Sequence, residues 1–511
     1  MQLEDLVGAK LVVGIPGTKA TPEIIKHLRD IHAGGIIFYR INFESPAQLR
    51  KLISDLESGL GRKLLVCVDH EGGRVVMYRD GITVFPDNLT LGTAGEVELV
   101  RKQGEIAAKE LRALGTDINF APVLDVLTSY YSPNIGIRSY GEDYKKVGEL
   151  GVAYIKGLQS GGVAATAKHF PGKGHAQVDA HLKLPTINST WDEMKAVHLQ
   201  PFLRAIEANV DCIMSSHPRY PKLDPNPDNI ATFSRTIITD FLRKELAYKG
   251  LIVSDDLEMG AVKELCGTGS AAIGQAAVRT VKAGHDLVLS CHSLDDERGV
   301  FHGLMEAYKT KQLSTNELEE SVDRIQKLKN RHPSRFTGEP SVKPIGESIA
   351  IEAAKKGTVV IQDIEKLLPL SEKMSADLGV VFPQLSSLAS KIMVEKEFED
   401  EIAYFHHHLG DYPGNHVTEV YKIEPDDEDI ETAANLARRS NVTIFFCYDA
   451  HLHSRQQLLF AELQKSARKL VVVLMRDPYD KSFLRPKDIG VTAFGWRKCQ
   501  IEAAISRIFG E

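Results

Sequence analysis

The chain has 511 residues, 43% hydrophobic and 26% charged, with a formal net charge of −7 and a pI near 6.2. That length exceeds one ordinary domain and fits two or three. The acidic balance argues against a nucleic-acid partner, whose phosphates need a basic surface, and the absence of any apolar run of about 18 residues argues against a membrane-spanning helix.

Eight short apolar runs follow one another in the first 300 or so positions. They are LVVGIPG from Leu11, GGIIFYR from Gly34, KLLVCVDHEGG from Lys63, INFAPVLDV from Ile118, VAATAKHF from Val163, CIMSSHPRY from Cys212, LIVSDD from Leu251 and HDLVLSCHS from His285. Each run is continuous rather than alternating, as in strands buried on both faces. Stretches of helical period separate most of them, such as Pro46–Leu60 and Ala196–Asn209. Eight strand-plus-helix units predict a (β/α)8 TIM-type barrel, ahead of a doubly wound open sheet. A helix over Asn316–Asn330 closes this part. RHPSRFTGEPSVKPIGE, rich in Pro, Ser, Gly and charge, reads as a linker. Beyond it, TVVIQD, LGVVFP, VTIFFCYD and KLVVVLMRDP read as strands of a smaller α/β sandwich-like domain. The expected division is a barrel over 1–330, a linker over 331–347 and a second domain over 348–511.

Six cysteines, at 67, 212, 266, 291, 447 and 499, show no CxxC spacing. Several sit in apolar runs, where a free thiol behaves as a small core residue. Structural disulfides are therefore not expected, and a reducing compartment is. MQLEDLVGAKLVVGIPG carries two acids before its apolar run and lacks a basic n-region, so no signal peptide is expected and a cytoplasmic location is.

The strands are apolar at their starts and polar at their ends. The third ends on Asp69, His70 and Glu71, the fifth on Lys168 and His169, and the sixth on Ser215, Ser216 and His217. The seventh ends on Asp255 and Asp256, and the eighth on His292. Barrel active sites lie at the C-terminal ends of strands, so this agreement across five of them places the expected site at that face. AKHFPGKGHAQVDAHLKLP (Ala167–Pro185) adds a Gly- and Pro-broken loop dense in titratable groups. Within it, Asp179 and His181 stand two apart. A loop lets such a carboxylate fix the imidazole's tautomer and raise its basicity, although a loop salt bridge or helix cap explains a D-x-H pair equally simply. Asp255, ending a buried strand, is placed to point into the barrel mouth and act as nucleophile or base; its neighbour Asp256 reads as a cap or loop bond. Arg138, in SPNIGIRSYGED, offers a fork of donors for hydroxyls, with an ion pair to Glu142 or Asp143 as the structural alternative. Lys168 is either a Schiff-base lysine or a donor to substrate hydroxyls. No HxxxH or CxxC pair supports a metal site, and GxGxxG and P-loop patterns are absent, so neither metal nor nucleotide cofactor is expected.

VDHEGGRV, FAPVLDV, GIRSYGED, AKHFPGKGHAQVDAHLKLP and IVSDDLEMGAV together resemble glycoside hydrolase family 3, specifically its β-N-acetylglucosaminidase branch. The resemblance implies Asp255 as the nucleophile, forming a glycosyl-enzyme with net retention, and His181 as general acid/base held by Asp179. It implies that Asp69, Arg138, Lys168 and His169 bind sugar hydroxyls. Lys173 stands where the family often has His, and Ala180 where it has Ser, so the loop's shape is open to change. The implied function is an exo-acting β-N-acetylglucosaminidase without metal or cofactor, acting on terminal N-acetylglucosamine of muropeptide or chitooligosaccharide fragments in cytoplasmic recycling. A phosphorylase with the same Asp and His, a broader β-glucosidase, an aldolase-like barrel using Lys168 and a sugar-binding protein with a dead site are the alternatives.

Overall fold

The eight apolar runs close into a parallel barrel in a computed structural model, which describes residues 2–129, 132, 134–176, 184–331, 335–340, 343–385, 400–410, 412 and 414–510. The strands are β1 (Leu11–Val13), β2 (Gly35–Phe38), β3 (Leu65–Val68), β4 (Ile118–Asn119), β5 (Ala164–Phe170), β6 (Cys212–Ser215), β7 (Leu251–Asp256) and β8 (Leu287–Ser290). They pair in sequence order, and β8 returns to pair with β1.

Side-chain alternation fixes what points inward. Leu65 and Cys67 of β3, Cys212 and Met214 of β6, and Leu251 and Val253 of β7 belong to one buried cluster inside the barrel. Ile325 and Leu328, from the helix Thr315–Arg331, join that cluster and cover the end where the strands begin. Two residues further along come Asp69, just past the end of β3, and Asp255, reached on β7 across a shift of register with β8 between Val253 and Asp256. On β5, Ala164 is in the cluster and the same count of two reaches Lys168. The apolar half of each strand thus fills the barrel, and its polar end is left at the mouth.

The surrounding helices are set by their own termini. The helix Pro46–Leu60 starts at Ser45, whose side chain accepts from Gln48 N, and has Pro at its first turn. It ends at Gly61 with φ 69°, and buries Leu49, Leu52, Ile53 and Leu56. The stretch expected over Ala196–Asn209 is less regular: α-helix over Trp191–Glu193, π-helix over Met194–His198 and α-helix over Gln200–Glu207. Pro201 has no N–H to return to Val197, and the turn before it widens, Leu199 N reaching Met194 O at 2.8 Å.

The barrel unit comprises residues 1–84 and 96–347. The segment expected as a linker is fastened to it where described: Arg335 donates to Asp117 at 2.6 Å and pairs with Glu57, and Gly346 N donates to Thr83 Oγ1 at 2.9 Å. A second compact unit comprises 85–95 with 348–511. The inclusion of 85–95 departs from the sequence reading, which kept this segment in the barrel. Its helix, Asn88–Ala94, is tied to the second unit by Thr90, which accepts from Gln500 Nε2 at 2.9 Å and donates to Ala493 O at 3.2 Å. Gly357 sits so close that a Cβ there would lie 2.2 Å from Thr90 O.

The sheet of the second unit has the order β11-β10-β12-β13-β14-β9. Its strands are β9 (Val359–Gln362), β10 (Asp377–Pro383), β11 (Asn415–Tyr421), β12 (Val442–Cys447), β13 (Leu470–Leu474) and β14 (Ile489–Thr492). All pairings are parallel except that of β14 with β9. The apolar runs TVVIQD, LGVVFP, VTIFFCYD and KLVVVLMRDP supply β9, β10, β12 and β13; β11 and β14 were not expected. No described helix is long and apolar enough to cross a membrane.

Candidate active site

Four charged side chains meet at the mouth above β3 and β5. Lys168 Nζ lies 2.6 Å from Asp69 Oδ1 and 2.6 Å from Glu71 Oε1. Arg138 grips Glu71 with both arms, Nε to Oε2 at 2.9 Å and Nη2 to Oε1 at 2.7 Å. It also donates to Asn134 O at 2.8 Å, which sets the loop that carries it. Asn119, ending β4, braces the turn from the other side: it accepts from His70 N at 2.9 Å and donates to His70 O at 2.8 Å. The direction of Asp69 and Glu71 is therefore fixed by backbone bonds as well as by charge.

One ammonium serves two carboxylates unequally. Burial opposes ionisation of Glu71, but Arg138 and Lys168 outweigh it and hold its pKa at about 2. At Asp69 the balance is reversed, and burial pushes its pKa above the usual value despite Lys168. Burial also opposes the charge on Lys168, and Asp69 with Glu71 more than compensates, raising its pKa. A Schiff-base lysine needs a depressed pKa and a free amine; Lys168 is held protonated, so the aldolase alternative has no nucleophile here. Arg138 pairs with Glu71, which corrects the suggested partners Glu142 and Asp143. Asp143 instead caps the helix Tyr144–Ser160, accepting from Lys145 N.

Behind this cluster lies Asp125. His169 Nδ1 is 2.7 Å from Asp125 Oδ2, which turns Nε2 of the ring away from that carboxylate. The backbone N–H of Lys173 donates to Asp125 Oδ1 at 2.6 Å. Burial raises the pKa of Asp125 to about 6, against the lowering effects of Lys173, Arg138 and the two N–H donors. Pairing of β5 with β6 shifts register between Lys168 and Phe170, and the Lys168–His169 and Phe170–Pro171 peptide bonds are cis. The register shift interrupts the ladder where the two site residues of β5 emerge.

Asp255 occupies the inward position at the end of β7, its side chain 17% exposed while that of Lys173 beside it is 3% exposed. Lys173 Nζ is 3.8 Å from Asp255 Oδ2, and Oδ1 accepts from Asp256 N at 3.0 Å. Asp256 turns to the loops, as expected of it: Oδ1 accepts from Glu258 N at 3.1 Å, and Oδ2 lies 3.1 Å from His292 Nε2. That bond to Asp256 raises the pKa of His292. Buried His217 is held between Thr232 Oγ1 at 2.9 Å and Asp256 O at 3.0 Å, and burial lowers its pKa, keeping it neutral.

The structure brings Asp69, Arg138, Lys168, His169 and Asp255 together at one end of the barrel. Asp179 and His181 lie outside the described residues. Three further members were not singled out as functional from sequence: Glu71, which joins Arg138 to Lys168; Asp125, which orients His169; and Lys173, which faces Asp255. Glu71 stands at a strand end, and Asp125 interrupts the apolar run FAPVLDV, so each left a local sign but no indication of its partner.

The model of the glycosyl hydrolase family 3 N-terminal domain matches residues 3–328. The β-hexosaminidase of Idiomarina loihiensis is 37% identical over 291 residues, which are 56% of this chain and 84% of that protein. Among solved structures, a family 3 β-N-acetylglucosaminidase from Paenibacillus sp. superposes with a TM-score of 0.90 at 29% identity, covering 100% of this chain and 97% of that one. NagZ from Neisseria gonorrhoeae, solved with N-trifluoroacetyl-D-glucosamine, is 30% identical with a TM-score of 0.56, over 68% of this chain and 97% of that one.

Proposed function

The chain belongs to glycosyl hydrolase family 3, and we propose that it is a retaining exo-β-N-acetylglucosaminidase with Asp255 as its nucleophile. The observation that carries this reading is the place of Asp255: an inward carboxylate at the end of β7, faced by the Lys173 ammonium at 3.8 Å. Names of similar proteins, a β-hexosaminidase and a β-N-acetylglucosaminidase, supply the substrate class.

In the first half of the reaction a carboxylate oxygen of Asp255 bonds to the anomeric carbon as the bond to the leaving oxygen breaks. His181, oriented by Asp179, gives that oxygen its proton. In the second half His181 takes a proton from water, water bonds to the anomeric carbon, and the electron pair of the ester bond returns to Asp255. Asp69, as an acceptor with 23% of its side chain exposed, Lys168 and Arg138, as donors, and His169, through its Nε2, hold the sugar hydroxyls. Terminal N-acetylglucosamine on muropeptide or chitooligosaccharide fragments is the proposed substrate, and cytoplasmic recycling the proposed setting.

The test is sugar release from 4-nitrophenyl N-acetyl-β-D-glucosaminide, with and without phosphate, by wild type and Asp255→Asn. Free N-acetylglucosamine in both buffers, lost by roughly 10³-fold or more in the variant, is expected. A sugar 1-phosphate formed only with phosphate would make the chain a phosphorylase. No release by the folded wild type would sink the assignment.

A further inference from the structure

Lys173 is anchored closely for a lysine in a loop. Its backbone N–H is held by Asp125, and Gly172 before it, at φ 114°, gives its carbonyl to Tyr220 OH at 2.9 Å. Gly174 after it packs so tightly that a Cβ would lie 2.0 Å from Val126 O. The turn is therefore fixed on both sides, and its side chain is buried with Nζ 3.8 Å from Asp255 Oδ2. That separation exceeds a hydrogen bond, so the interaction is chiefly one of charge. The two carboxylate oxygens are served differently: Oδ1 by the N–H of Asp256, Oδ2 by the ammonium.

We propose that Lys173 is a positioning residue that speeds release of the sugar from Asp255 rather than its capture. The inference rests on the reading of Asp255 as nucleophile. Over one turnover the carboxylate goes from anion to neutral ester and back. A fixed cation stabilises the two ends of that path and not the middle. It steadies the free nucleophile and so does nothing to hasten ester formation. When water attacks, the C1–O bond breaks and its electron pair returns to Asp255, and the ammonium favours this departure. Without Lys173 the ester forms at least as readily and leaves more slowly, so it accumulates.

The experiment is pre-steady-state and steady-state hydrolysis of 4-nitrophenyl N-acetyl-β-D-glucosaminide at pH 8 by wild type, Lys173→Met, Lys173→Gln and Lys173→Arg. In the Met and Gln variants kcat should fall roughly 10- to 100-fold, within what a partly buried charge pair at this separation supplies. KM should fall with it, so that kcat/KM stays within about threefold, the mark of a slowed second step. A burst of nitrophenolate near one equivalent of enzyme should precede steady state, and the glycosyl-enzyme should be visible by intact mass. The Arg variant, keeping the charge, should recover most of kcat. Equal losses of kcat and kcat/KM, with KM unchanged and no burst in either neutral variant, would overturn the proposal. A 5-fluoro glycosyl fluoride tests the underlying reading on wild type: labelling at Asp255 leaves the kinetic result to decide Lys173 alone. Absence of that label would overturn the nucleophile assignment and this inference with it.

Discussion

Replacing Glu71 by Gln removes one charge from between two buried cations and keeps the shape. The folded carboxyl is held at about 2, from an ordinary value of 4.5. That difference of about 2.5 pKa steps corresponds to about 3 kcal/mol in favour of the folded state at neutral pH. The side chain is 3% exposed, so solvent screening takes little from this figure. The usual cost of breaking a buried ion pair, about 3–5 kcal/mol, agrees. At about 2.1 cal/mol/K per residue, a unit of barrel size unfolds with an entropy of about 0.7 kcal/mol/K, so Glu71→Gln should lower its melting temperature by about 4 °C at pH 7. The folded pKa is depressed. The contribution is therefore complete above the unfolded value of 4.5 and is lost as pH falls toward 2. At pH 3.5 about 2 kcal/mol remains, and the gap between wild type and variant should shrink in proportion. Differential scanning calorimetry at both pH values measures it. A gap that does not change with pH, or a variant melting within 1 °C of wild type at pH 7, would refute an ionic role for Glu71.

Asp125→Asn should show the opposite pH trend. Burial raises the folded pKa of Asp125 to about 6. Its favourable contribution is thus complete below the unfolded value and is lost as pH rises through 6, so wild type should lose about 2 kcal/mol relative to the variant between pH 4 and pH 7; melts across that range that run parallel would contradict this. His181→Ala should slow substrates with poor leaving groups roughly 100-fold more than 4-nitrophenyl glycosides, because only the former need protonation. Equal losses on both substrates would remove the acid role.

What was legible in the sequence followed from the period of two in buried strands. Leu65, Cys67 and Asp69 can be read as one inward row without coordinates, because a strand offers no other face to the barrel; Leu251 and Val253 start such a row, and Asp255 follows it across a register shift that the sequence does not announce. The second unit was harder where that signal is weak. β11, Asn-His-Val-Thr-Glu-Val-Tyr, lies at the sheet edge and is mostly half-exposed, so it lacks an apolar run. β14 is four residues long and buried, too short to stand out beside its neighbours. The excursion of 85–95 into the second unit depends on Thr90 meeting Gln500 and Ala493, partners some 400 positions away in the chain, and nothing local encodes that.

The charged site divides along the same line. Lys168 and Asp255 are strand positions and Asp69 directly follows β3, so the apolar residues before them carry them to the mouth. Glu71, Asp125 and Lys173 sit on turns after strands, where no periodicity assigns a direction and the partner decides the role. Each is nevertheless buried, and each meets an ionisable group that a strand brings to the mouth: Glu71 meets Lys168, Asp125 meets His169, and Lys173 meets Asp255. A barrel that ends its strands on ionisable groups must bury their counter-charges nearby, since an unpaired buried ion costs several kcal/mol. Polar residues in the turns that follow such strands are therefore the places to look for the second member of each pair. AKHFPGKG already carries one of them in Lys173, five residues after the lysine that sequence alone brings to attention.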